Sequence, residues 1–118
     1  MNLESLLPLP TATFHILIAL ADEDRHGYAI IRDIEARTSG KLRMSPGTLY
    51  RSVQRMVDQG LITETDERPD PEFDDERRRY YRITSLGKQA ARAEAARMSS
   101  LLDQARAIGL APKGHGVR

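Results

Sequence analysis

Ser45-Pro46-Gly47-Thr48-Leu49-Tyr50-Arg51-Ser52-Val53-Gln54-Arg55-Met56-Val57-Asp58-Gln59-Gly60-Leu61-Ile62 reads as one short helix with both ends marked. The Ser45 hydroxyl can accept from the first free backbone N–H groups. Pro46 suits the first helical position, where its missing N–H costs nothing. Gly60 supplies a left-handed stop. Leu49, Val53 and Met56 recur at i, i+4 and i+7 and predict one buried face. Thr48, Tyr50, Arg51, Gln54 and Arg55 are left outside, with no acid before Asp58. Arginine, glutamine and threonine read base edges and phosphates, so a helix buried on one side and carrying them on the other suits a DNA major groove. An ordinary amphipathic surface helix has the same pattern, so the neighbouring chain must decide.

The chain has 118 residues, enough for one domain with one modest core. Charged residues are 30% and aromatics 5%, which suits a helical protein with a polar surface better than a β-sandwich. Without cysteine it has neither a disulfide framework nor a thiolate zinc site. No apolar run approaches membrane-spanning length and no basic leader precedes a signal-like core, so the expected compartment is the cytoplasm, with no membrane partner. The net charge of +1 conceals a strong asymmetry. Glu64, Asp66, Glu67, Asp70, Glu72, Asp74, Asp75 and Glu76 crowd one segment with a single base, Arg68. The remaining chain holds 17 basic and 9 acidic residues, a net of +8. A basic body with one acidic loop is compatible with a duplex-binding face when the loop points elsewhere.

Outward from the marked helix, residues 1–10 form a flexible arm whose prolines argue against helix. Thr11 or Thr13 then caps a helix to about Ala21, made apolar around much of its circumference by Phe14, Ile16, Leu17, Ile18 and Leu20. Asp22–Arg25 reads as a turn. A second helix starts near His26-Gly27, turns Ile30, Ile31 and Ile34 inward, and ends at Gly40. Lys41–Met44 is short and extended, with the makings of a small strand. Beyond Gly60 the periodicity changes: Leu61–Thr65 and Arg79–Thr84 are β-prone. The proline-broken acidic segment between them is a long hairpin loop. Two strands joined by a projecting loop, directly after a helix–turn–helix pair, describe a winged helix.

Thr84 or Ser85 next caps a long helix to about Ile108. Leu86, Ala90, Ala93, Met98, Leu101, Leu102, Ala105 and Ile108 line one stripe, longer than a winged-helix core can cover. A partner helix is the natural cover, and a two-fold homodimer satisfies the same patch twice. The expected seam holds Met98, Leu101, Leu102 and Ala105, with Phe14 and Ile18 of the first helix facing it. The organisation is therefore mainly α with a small β-wing: arm 1–10, winged helix–turn–helix 11–84, dimerisation helix 85–108 and disordered tail 109–118.

Catalytic chemistry finds little support. His15, His26 and His115 share no metal-ligand spacing. No nucleophile elbow, P-loop or dinucleotide fingerprint appears, and no cofactor is expected. The acidic segment lacks the register of an EF-hand calcium loop. A winged helix that binds proteins through that acidic loop, rather than DNA, is the rival reading. It leaves Arg51, Gln54, Arg55 and the triplet Arg77, Arg78 and Arg79 without a purpose.

His26-Gly27-Tyr28, Ser45–Tyr50, Gly60-Leu61-Ile62 and Arg78–Gly87 together resemble the PadR-like transcriptional regulators. The resemblance covers about residues 11–108. It implies a winged helix–turn–helix, a C-terminal dimerisation helix, and repression by binding a palindromic operator, relieved in many members by a small molecule or stress. The length is similar to the short subgroup with a single C-terminal helix. On this sequence, Tyr28 would lie beside the DNA backbone, Ser45, Thr48 and Tyr50 would begin the recognition helix, and Arg77, Arg78 and Arg79 would touch phosphates from the returning strand of the wing. An effector would sit at the dimer interface beside Phe14 and Ile18, with no tryptophan to stack on it. Many relatives continue Leu-Tyr-Pro-Ala-Leu where this chain has Leu49-Tyr50-Arg51-Ser52-Val53, so the groove-facing chemistry is its own.

Overall fold

The computed structural model describes residues 2–65 and 79–112. Helix α1 spans Thr11–Leu20, strand β1 Arg25–His26, α2 Gly27–Arg37, α3 Pro46–Asp58, β2 Ile62–Thr65, β3 Tyr80–Ile83 and α4 Ser85–Ala107. The three strands form one antiparallel sheet in the order β1-β3-β2, with Ile62 opposite Ile83 and Arg25 opposite Tyr81. This is a winged helix with a long C-terminal helix, mainly α as expected.

Helix α3 is built as its sequence dictates. Thr48 N donates to the Ser45 hydroxyl at 3.2 Å, Pro46 opens the first turn, and Gly60 lies at φ +80° just beyond the end. Leu49, Val53 and Met56 are its buried residues. They meet Ile16, Leu17 and Leu20 of α1, Ile30 and Ile34 of α2, and Leu61, Ile62 and Ile83 from the sheet side in one core. Helix α4 is seated on this core at Gly87, where a Cβ would run into the Leu61 carbonyl oxygen. Thr84 caps α4, its hydroxyl accepting from Gly87 N at 3.0 Å and donating to Gly60 O at 2.6 Å. One threonine thus joins the end of α3 to the start of α4.

Five sequence expectations need correction. The arm is not helix-free: Leu3–Leu6 is a turn of 3-10 helix capped by Asn2, and Leu9 is buried in the core. The prolines of the arm come after that turn, so they do not oppose it. Neither threonine caps α1; Pro10 occupies the cap position, and α1 has no side-chain cap. Arg25 belongs to β1 rather than to a turn, because β3 offers it a free edge. Lys41–Met44 forms no strand; Leu42 N donates instead to the Thr38 hydroxyl at 3.0 Å, and Met44 is buried. At the C-terminus Leu110 N donates to Ala105 O at 2.8 Å and Arg106 Nε to Pro112 O at 2.9 Å, so residues 109–112 fold back on α4. The rest of the expected tail, 113–118, lies outside the described residues.

The arm is held by a buried carboxylate. Glu94 on α4 is only 3% exposed; its Oε1 accepts from Leu9 N at 3.2 Å, and Arg97 forks onto it at 3.0 and 2.6 Å. The Arg97 hydrogen bonds hold the Glu94 carboxyl below the usual carboxylate range, against the opposing pull of burial. A carboxyl whose folded pKa is depressed stabilises the fold fully above its unfolded pKa and loses that contribution as pH falls through the folded value. Glu94→Gln should therefore cost about 1 kcal/mol at neutral pH. Melting curves of the two proteins should converge as the pH is lowered below the carboxylate range.

Candidate nucleic-acid interface

The outward face of α3 continues into the start of α2. Tyr50 and Tyr28 are 51% and 57% exposed although both are large rings. Their seating has a specific cause. A Cβ on Gly27 would fall 2.5 Å from Tyr50 Oη, so only a glycine lets the Tyr50 ring lie across the first turn of α2. His26 caps that turn, its Nδ1 accepting from Ala29 N at 3.1 Å, and its ring meets Tyr80 of β3 edge-on at 5.3 Å. The His26-Gly27-Tyr28 string is thus one device: a cap, a gap for Tyr50 and an exposed ring. One turn later the Arg32 guanidinium lies 5.0 Å over the Tyr28 ring, a cation–π pair that limits how far either side chain swings.

Arg51, Gln54 and Arg55 are all exposed on α3. Arg51 Nη2 donates to the Thr48 hydroxyl at 3.5 Å, and Gln54 Nε2 donates to Asp58 at 3.1 Å. The Ser45 hydroxyl donates to Thr48 at 3.1 Å. Most described arginines elsewhere face acids. Arg82 forks onto Asp24, Arg25 meets Asp33 and Glu23, Arg37 meets Asp33, and Arg43 meets Glu35. Among the described residues, Arg51 and Arg55 form no ion pair, so this face keeps uncompensated positive charge. Arg79, at the base of the wing, pairs with Glu64 across the ladder at 3.4 Å. Both groups are well exposed, and such a pair is worth about 0–1 kcal/mol and yields readily to a competing anion. Arg77 and Arg78 lie outside the described residues, as does the acidic segment from Asp66 to Glu76.

The expected dimer residues divide between two helices. The buried residues of α4, Gly87, Ala90 and Glu94, all lie in its first half. Met98, Leu101, Leu102 and Ile108 stand 41–71% exposed, with Ala105 half-buried beside them. Phe14 and Ile18 share the outer face of α1 at i, i+4 and are half-buried. Sequence reasoning singled out neither Arg32 beside the Tyr28 ring nor the burial of Thr13, which is 3% exposed. Arg32 follows Tyr28 at helical spacing and was legible as its partner. Thr13 read as a cap, and nothing local signalled its burial. Among the described residues no cluster of three or more His, Asp or Glu could hold a metal, and no helix is long and apolar enough to cross a membrane.

The family model described as "Transcriptional regulator PadR-like family" matches residues 16–93, and the chain belongs to this family of transcriptional regulators. It is 37% identical over 73 residues to an uncharacterized protein of Lysinibacillus sphaericus, a stretch covering 62% of this chain and 64% of that one. It is 42% identical over 48 residues to the transcriptional regulator YqjI of Escherichia coli K12, covering 41% of this chain and 23% of the relative. The chain thus spans less than two thirds of the length of either. A crystal structure of a PadR family transcription regulator from Clostridium difficile superposes with a TM-score of 0.68 at 22% identity, covering 84% of this chain and 98% of that one, a likeness of fold.

Proposed function

We propose that this PadR-like regulator is a sequence-specific DNA-binding repressor that acts as a homodimer on an inverted-repeat operator. The observation that carries the reading is the outer face of α3, where exposed Arg51, Gln54 and Arg55 stand above a fully buried inner face, with no acid opposing the two arginines among the described residues. Tyr28 and Arg32 beside it suit the flanking phosphates, and Arg79 suits a contact from the wing. The bare second half of α4 suits a partner copy, joined by Phe14 and Ile18. A small molecule that relieves repression would act at that seam, because a change there alters the spacing of the two recognition helices.

A gel shift on the DNA upstream of the protein's own gene tests this. Wild type should retard that DNA at protein concentrations that leave a scrambled duplex free. Arg51→Ala should lose about 1–3 kcal/mol and relax preference at one base position. Wild-type affinity in the variant would mean that α3 docks by another face.

A further inference from the structure

Beside the recognition helix lies a small cleft of about 150 Å³, lined by Pro10, Thr13, Thr48, Arg51, Ser52 and Arg55. Three observations converge on it. Helix α1 begins at its edge without a side-chain cap, so the N–H groups of Thr11, Ala12 and Thr13 have no partner within the helix or from a capping residue. Thr13 is 3% exposed, and among the described residues its hydroxyl meets no hydrogen-bond partner. A threonine in a helix can bond back to the preceding turn, yet this one faces the cleft unused. Arg51 and Arg55 bring two guanidinium groups without an acid, and the cleft lining contains no carboxylate.

We propose that this cleft is a phosphate-oxyanion site that seats one backbone phosphate of the bound duplex, with Arg55 as its cation and Thr13 as its buried donor. The inference rests on the DNA-binding reading above and refines it. On the helical wheel of α3, Arg51 points directly away from the buried face, whereas Arg55 shares the flank of Thr48 and Ser52 toward α1. The two arginines therefore divide the work. Arg51, at the rim of the cleft, can reach base edges, and Arg55 sits on the flank toward the start of α1, where the sugar-phosphate strand would pass. The helix dipole and the free N–H groups favour an anion there, and the phosphate supplies the acceptor that the Thr13 hydroxyl lacks.

A buried hydroxyl without a partner costs stability, and replacing it with an apolar group of the same shape is neutral or stabilising. Thr13→Val should therefore leave the melting temperature of the full-length protein unchanged or raised, yet weaken its binding to a labelled duplex by roughly tenfold. Arg55→Ala should weaken binding to upstream and random duplexes alike and reduce the slope of log K against log salt by about 0.9, the share of one phosphate. Arg55→Lys should restore the slope. Titration of the free protein with inorganic phosphate, followed by amide NMR, should shift Thr11, Ala12 and Thr13 in wild type and not in Thr13→Val.

Wild-type DNA affinity in Thr13→Val overturns the proposal, as does a fall in its melting temperature, which would assign the hydroxyl a structural bond. Phosphate binding at these amides combined with an unchanged salt slope in Arg55→Ala would make the cleft a site for a free anion and overturn its assignment to DNA. Failure of wild type to bind any duplex would strike the DNA-binding reading itself, and is distinguished by the absence of a wild-type signal against which to compare the variants.

Discussion

Leu101→Asp is expected to convert the proposed homodimer into monomers and to abolish the operator binding proposed for it. Leu101 stands half exposed on the second half of α4, between Met98 and Leu102 in an apolar stripe that its own domain leaves bare. In a two-fold pairing the same stripe is covered twice, so one substitution places two carboxylates in one seam. An unpaired buried charge carries an effective penalty of several kcal/mol. The dissociation constant of the dimer should rise by about a thousandfold, taking roughly 4 kcal/mol as the combined cost. A monomer reads one half-site and forfeits the second, whereas the dimer spans half-sites about 10 base pairs apart, centre to centre, or a multiple of that. Sedimentation velocity across the micromolar range checks this. A wild type that sediments as a monomer there would contradict it.

The second large effect belongs to the fold. Gly87→Ala should destabilise the protein by about 3 kcal/mol, because the new methyl group meets the Leu61 carbonyl oxygen, which is backbone and cannot rotate away. The Ile83 side chain crowds the same point. Relief requires α4 to lift from the end of α3, and Thr84 would then lose its bonds to Gly60 and Leu61. Thermal unfolding followed by circular dichroism measures the loss. Alanine at Lys88, the exposed next position, should change stability little and serves as the control.

The helices and the wing were legible because their signals are local. Ser45, Pro46 and Gly60 mark α3 within the segment itself, and Leu49, Val53 and Met56 give its period without reference to the rest of the chain. Thr84 announced α4 in the same way. Other features rest on contacts distant in sequence. Strand β1 is two residues long and exists only because Tyr80 and Tyr81 pass beside it, more than fifty positions later. Glu94 reads as one more charge on a polar helix, and its burial follows from the packing of Leu9, which is 85 residues away in sequence. Thr13 shows the same limit from another side. A threonine near a helix start reads as a cap; with Pro10 in the cap position, Thr13 is instead buried and lines the same cleft as Arg55. Of the proposed interface, the exposure of Tyr28, Tyr50 and Arg51 was legible from face and motif, while the seating of Thr13 beside α3 depended on how the helices pack.

The most direct test of the central claim is equilibrium binding of the full chain, by fluorescence anisotropy across a salt series, to the upstream duplex and to a scrambled duplex of equal length. Specific recognition through α3 predicts a preference for the upstream DNA of at least about a thousandfold at physiological salt, with log K falling linearly in log salt on both. Equal affinity for the two duplexes, or binding to neither, would contradict it.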